Sequence, residues 1–199
     1  FVGVTTPETF TKSTPAYFMN DAQTKYIYDI LGGDDGRKLY DAVQKAIDKA
    51  KTLGADIIIG LGHLGVDPSS SPWTSEEVIA HTHGFTAFID GHSHTVMTAS
   101  KDNNMVQSTG TGLAYVGAIV IDNATKSIES NGLIDLSAYT KEDATVKAAA
   151  DKIISDINAE YGKVFARTDV ELNGDKDPGN RTQETNLGDL ITDSMLWAI

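Results

Sequence analysis

Five histidines carry most of the chemistry this sequence could support, and they are unevenly placed. His63 stands in Gly60-Leu61-Gly62-His63-Leu64-Gly65, directly after a short apolar run at 56–60. His92 and His94 stand in Asp90-Gly91-His92-Ser93-His94, directly after a second apolar run at 85–89. Loops at the carboxyl ends of buried strands are where α/β sheets place ligands, and neutral imidazole suits Zn, Mn, Fe or Ni. In an extended loop, residues two apart can turn toward different neighbours, so His92 and His94 could serve two adjacent metals. Glycines beside His63 would let the backbone approach a buried centre closely. The plainer reading makes His63 a turn residue and the His92/His94 pair exposed; spacing alone does not choose between them.

His81 and His83 repeat the His-x-His pattern at the end of a helix. Positions two apart on a helix point about 200° apart, so these two read as a solvated helix end. The Gly60–Gly65 segment lacks the Lys-Ser/Thr of a Walker loop and the spacing of a dinucleotide fingerprint. Ser93 lies between two histidines, but no nucleophile elbow surrounds it, and adjacency in sequence is not triad geometry.

The elements that must position these residues follow from periodicity. A β-branched run at 1–6 ends at Pro7 and reads as a strand leading into a loop. Residues 9–35 are polar and irregular, closing in Gly32-Gly33-Asp34-Asp35-Gly36. Leu39, Val43, Ala46, Ile47, Ala50 and Leu53 recur at helical spacing over 37–53, stopped by Gly54. Residues 56–60 read as a buried strand. Residues 74–82 read as a helix, with Ser75 as its N-cap and Glu76 and Glu77 in its first turn. Strands are expected at 85–89, 105–108, 114–122 and 127–135, the last two forming a hairpin. The order β-α-β-α-β followed by antiparallel strands is a mixed α/β layer structure. A long helix over 141–161 carries Ala150, Ile153, Ile154, Ile157 and Tyr161 on one stripe. A strand at 164–172, a Gly- and Asp-rich turn reaching Arg181, and a helix from Asn186 complete the chain.

The 199 residues carry 28 Asp and Glu against 16 Lys and Arg, a net charge of −12, with 40% hydrophobic residues and no Cys. That composition is globular, and it removes disulfides, thiolate metal sites and Cys nucleophiles. No basic block is present to neutralise a nucleic acid polymer or to bind an anionic membrane surface. A small phosphorylated ligand stays open, because metal ions can supply the positive charge. No apolar run approaches a membrane span and no signal peptide is seen. The chain starts without Met and stops inside a helical pattern, so both ends read as cuts through ordinary structure. Asn123-Ala124-Thr125 and Asn180-Arg181-Thr182 match the glycosylation sequon, as many loops do by chance.

Gly62-His63-Leu64-Gly65 and Asp90-Gly91-His92-Ser93-His94-Thr95 resemble the last two metal motifs of calcineurin-like metallophosphoesterases. Val2-Gly3-Val4-Thr5-Thr6-Pro7-Glu8-Thr9 resembles the preceding strand and loop of the 5′-nucleotidase branch. Arg181-Thr182-Gln183-Glu184-Thr185-Asn186-Leu187-Gly188-Asp189-Leu190 resembles the segment that opens the 5′-nucleotidase C-terminal domain. The segments occur in the family's order and span nearly the whole chain. The resemblance implies the C-terminal half of a four-layer α/β/β/α sandwich over 1–138, a connecting helix over 139–162, and the start of an α/β C-terminal domain over 163–199.

It further implies two divalent metal ions, Zn, Mn or similar, with His63 and His92 on one and His94 on the other. Arg181 matches an Arg that contacts substrate, and Asn186 is expected to cap the last helix. The implied reaction is hydrolysis of nucleoside 5′-monophosphates or 2′,3′-cyclic nucleotides, with UDP-sugars or another phosphoester as the alternative within the family. The family is mostly exported, to the periplasm or cell surface. The family's opening Asp-x-His, Gly-Asp-x-x-Asp and Gly-Asn-His-Asp/Glu motifs have no counterpart in this chain ahead of the two histidine motifs. The catalytic residues are therefore expected upstream and the chain alone is expected to be inactive, with the missing N-terminal half or a second copy as a partner. The contrary class is a non-catalytic metal-binding or interaction module.

Overall fold

The computed structural model describes residues 1–98, 105–175 and 177–199. The chain divides into two compact units, Phe1–Thr140 and Lys141–Ile199. In the first unit, strands β1 (Val2–Thr5), β2 (Ile59–His63), β3 (Ala87–Ile89), β4 (Val96–Met97) and β5 (Val106–Thr109) form a five-stranded sheet in the order β1-β2-β3-β5-β4. The pairs β1–β2, β2–β3 and β3–β5 are parallel, and β4 runs antiparallel to β5. Strand β5, expected to open the antiparallel part, thus continues the parallel sheet, and β4 is a strand the periodicity does not reveal.

Strand β2 also starts later than its apolar run. Its register pairs Val2 with Gly60 and Thr5 with His63, so ladder pairing carries the strand through Gly-Leu-Gly despite glycine's poor strand propensity. His63 is therefore the last residue of β2 rather than a loop residue beyond it.

Short α1 (Thr9–Lys12) follows β1, α2 (Arg37–Thr52) precedes β2, and α3 (Ser75–His81) precedes β3. Leu39, Tyr40, Val43 and Ile47 of α2 join Val78 and Ile79 of α3 in a core with Val2, Ile58, Phe88 and Val106. Strand side chains alternate between faces, so Gln107, next to Val106, points to the opposite face. There its side-chain amide donates to Asn131 Oδ1 at 2.7 Å and Gly132 O at 3.0 Å. Those acceptors belong to the antiparallel hairpin β6 (Tyr115–Ile121) and β7 (Ile128–Asp135). Helices, five-stranded sheet and two-stranded sheet thus stack in that order, a mixed α/β architecture. The start of α3 differs from expectation: Thr74, not Ser75, is the N-cap, closing a capping box with Glu77.

The second unit holds α4 (Ala144–Tyr161) and α5 (Asn186–Trp197). Helix α4 buries no residue and is held locally, by the Asp143 cap and the Lys147–Asp151 and Lys152–Asp156 pairs at 3.1 and 2.7 Å. The expected strand at 164–172 does not form. No described strand pairs with it, and Thr168 Oγ1 instead donates to Val170 O at 3.0 Å. The turn before Arg181 includes residue 176, which lies outside the described residues.

Candidate functional site

The carboxyl ends of β1, β2 and β3 converge on His63 and His92. His63 Nε2 and His92 Nδ1 lie 3.3 Å apart, with ring centroids 4.9 Å apart and planes at 63°. Asp90 holds the two strand exits together: its Oδ1 accepts from Leu64 N at 2.9 Å. Ser93 does the same one turn out, its Oγ accepting from Val66 N at 3.2 Å and meeting Thr95 Oγ1 at 2.8 Å. Ser93 is thereby a loop tie, in keeping with its rejection as a nucleophile.

The glycines around His63 have a packing role. A Cβ on Gly62 would lie 2.5 Å from the Phe88 ring and 2.9 Å from Asp90 Oδ1. Gly65, at φ +72, would meet Ser93. These glycines let β3 and its exit loop press against β2, which is what brings His92 to His63.

The loop after β1 supplies a residue that sequence reasoning did not single out. Glu8 Oε2 lies 2.7 Å from His92 Nε2 and accepts from Ser70 Oγ at 2.8 Å, while Oε1 pairs with Lys12 at 3.0 Å. Burial pushes the Glu8 carboxyl up, but hydrogen bonds from His92, Lys12 and Ser70, with the charge of Lys12, outweigh it and bring the group down to about 2. Only the quoted Thr5-Thr6-Pro7-Glu8-Thr9 likeness pointed near it; a contact spanning 84 residues leaves no local pattern. Thr5, Thr6, Thr9, Lys12 and Ser13 complete, with His63 and His92, a cavity of about 300 Å³.

His94 is placed differently from His92. Both have left-handed backbone, φ 54 and φ 79, but His94 is exposed and its side chain meets no hydrogen-bond partner among the described residues. Among the described residues no group of three or more His, Asp or Glu side chains converges as a metal-holding cluster. Two imidazole nitrogens converge; Glu8 is committed to its own partners, and one Asp90 oxygen, Oδ2, is buried without a partner among the described residues.

His81, read as a solvated helix end, is exposed but ordered: it stacks on Tyr40 at 4.3 Å, and its Nδ1 lies 2.8 Å from Glu77 O. In the second unit Arg181 is exposed, in the turn fixed by Thr182 N and Gln183 N donating to Gly179 O at 2.9 and 3.0 Å. Thr185, not Asn186, caps α5. Asn186 instead clamps the preceding segment, donating to Glu171 O at 2.8 Å and accepting from Asn173 N at 2.9 Å.

No protein-family model matches the chain. The chain is similar to the snake venom 5′-nucleotidase of Gloydius brevicauda, 25% identical over 98% of this chain and 34% of that protein. It is likewise similar to the trifunctional nucleotide phosphoesterase protein YfkN of Bacillus subtilis, 26% identical over 98% of this chain and 12% of that protein. A crystal structure from Staphylococcus aureus, provisionally named a 5′-nucleotidase and in complex with alpha-ketoglutarate, aligns with 77% of this chain and 30% of its own. Its TM-score is 0.49 and its identity 18%. The resemblance read from the three motif segments is thus borne out by sequence relatives along 98% of the chain, which spans about a third of the first of them. Among the described residues no helix is long and apolar enough to cross a membrane.

Proposed function

We propose that this chain works as part of a longer, metal-dependent phosphoric ester hydrolase. Its substrates are nucleoside 5′-monophosphates, 2′,3′-cyclic nucleotides or both, and its products nucleoside and phosphate. The observation that carries this reading is the 3.3 Å meeting of His63 Nε2 and His92 Nδ1 at the carboxyl end of a parallel sheet, in a chain similar to proteins named 5′-nucleotidase.

Two nitrogens each bound at about 2.0–2.1 Å to a tetrahedral ion stand about 3.3–3.4 Å apart, so the His63–His92 edge fits a divalent cation such as Zn or Mn. His63 and His92 would hold one ion and His94 would serve a second. Paired ions, when bound, would lower the pKa of a bound water and would neutralise charge on the phosphoryl oxygens. That is how a chain of net charge −12 can handle an anion.

The chain's own residues hold and orient the reactants. Thr5, Thr9, Lys12 and Ser13 line the cavity beside the histidines, and the Ser13 hydroxyl and the Lys12 ammonium can donate to phosphoryl oxygens. Arg181 offers the planar fork that binds phosphate bidentately. Helix α4 links the two domains, and the whole protein acts outside the cell. The remaining metal ligands lie in the motifs this chain lacks, so the 199 residues alone have no turnover.

The test is phosphate release from adenosine 5′-monophosphate with added Mn²⁺ or Zn²⁺. The product of the complete gene is expected to be active and the 199-residue chain inactive. Robust turnover by the chain alone would refute the division of the site, and an inactive complete product would favour a non-catalytic metal-binding module.

A further inference from the structure

We propose that Glu8 is a positioning residue for His92: it sets the tautomer and ring orientation that turn Nδ1 toward His63. The inference rests on the reading of His92 as a ligand for what it contributes to metal binding, but the tautomer itself can be read without metal.

The carboxylate at Glu8 has only acceptors to offer. Oε2 already accepts from Ser70 Oγ at 2.8 Å, and Ser70 is 2% exposed. Oε1 is paired with Lys12 at 3.0 Å. His92 Nε2, 2.7 Å from Oε2, must therefore carry the proton it donates. A neutral imidazole has one N–H, so Nδ1 is left with its lone pair toward His63 Nε2, 3.3 Å away.

With Nδ1 bare, His63 Nε2 is placed to donate to it across the 3.3 Å contact, so the two contacts favour the same tautomer. The His92 backbone sits at φ 79, a region a non-glycine residue enters only when its surroundings hold it there. Its side chain is 12% exposed, and the Glu8 contact at 2.7 Å is the shorter of its two polar contacts. Glu8 is in turn braced from both sides, by Glu8 N donating to Thr6 Oγ1 at 3.2 Å and by Ser70. A ligand imidazole donating its far N–H to a carboxylate is the arrangement that fixes metal-binding histidines, and removing such a carboxylate commonly costs about 10–100-fold in metal affinity.

The experiment is long-range ¹H–¹⁵N NMR of the 199-residue chain at a pH of about 8.5, where imidazole is neutral. Wild type is compared with Glu8→Gln and Glu8→Ala. Wild type and Glu8→Gln, whose amide oxygen still accepts, are expected to show His92 protonated at Nε2 and bare at Nδ1. Glu8→Ala is expected to shift His92 toward the Nδ1–H form. Protonation at Nδ1 in wild type, or the same tautomer in Glu8→Ala, would overturn the proposal. Zn²⁺ titration of the same proteins adds the consequence: about 10–100-fold weaker binding in Glu8→Ala, recovered in Glu8→Gln. Equal affinity in wild type and Glu8→Ala would also overturn it. A Glu8-dependent tautomer together with a complete gene product that binds no Zn²⁺ would support the positioning role and refute the metal reading instead.

Discussion

Thr5 and His63 are register partners across the parallel β1–β2 pair, and the next amide, Thr6 N, donates to the His63 carbonyl at 3.0 Å. Thr6 is 1% exposed. Its Oγ1 accepts from Glu8 N at 3.2 Å, and its carbonyl accepts from Thr9 Oγ1 at 2.7 Å. One buried threonine therefore sets the level of His63 and the course of the loop that delivers Glu8 to His92.

Replacing it tests that coupling. Thr6→Val keeps the shape and removes the hydroxyl acceptor, leaving Glu8 N without this partner. The expected loss is about 1 kcal/mol of stability, read as a lower urea midpoint with an unchanged slope.

Gly62→Ala places a Cβ 2.5 Å from the Phe88 ring, which is fully buried. The ring must move, and Asp90 with it. A loss of about 1–3 kcal/mol is expected. Gly3→Ala is the control, because nothing lies within 4 Å of its added Cβ. Its urea midpoint should stay equal or rise.

The α3 capping box makes stability depend on acid. Burial pushes the Glu77 carboxyl up, but hydrogen bonds from the Ser71 and Thr74 hydroxyls and the Thr74 amide, with the charge of His81, outweigh it and hold the group below its ordinary 4.5. A carboxyl lowered by folding contributes stability that is complete above its unfolded value and lost as pH falls through its folded one. Urea unfolding between about pH 6 and 3 should show that acid-side loss. Glu77→Gln should flatten it, and Thr74→Ala should cost about 1 kcal/mol at neutral pH.

Arg181→Ala, made in the product of the complete gene, should raise KM for a nucleoside monophosphate about 10–100-fold, the range expected for one lost charge-assisted contact. Circular dichroism should be unchanged, since Arg181 is exposed. An unaltered KM would remove it from the substrate contacts.

How much of this was legible depended on whether a signal was local. The stripe of α2 and the apolar runs of β2 and β3 announced themselves, because burial on one face leaves a period in the sequence. The run 164–172 has the residues of a strand but no described strand beside it, and pairing decides what composition only permits. Asn186 reads as a cap by type, yet Thr185, one residue earlier, has the extended backbone a cap requires. His63 and His92 were found because each follows its own apolar run. Their meeting, and the role of Glu8, depend on the parallel order β1-β2-β3, which no short window contains.

The most direct measurement of the central claim is Zn²⁺ or Mn²⁺ binding and phosphate release by the complete gene product with His63→Ala and His92→Ala, each against wild type. The account predicts that either substitution weakens binding of one ion by at least 10-fold and abolishes hydrolysis of adenosine 5′-monophosphate. Wild-type metal affinity and turnover in both variants would contradict it.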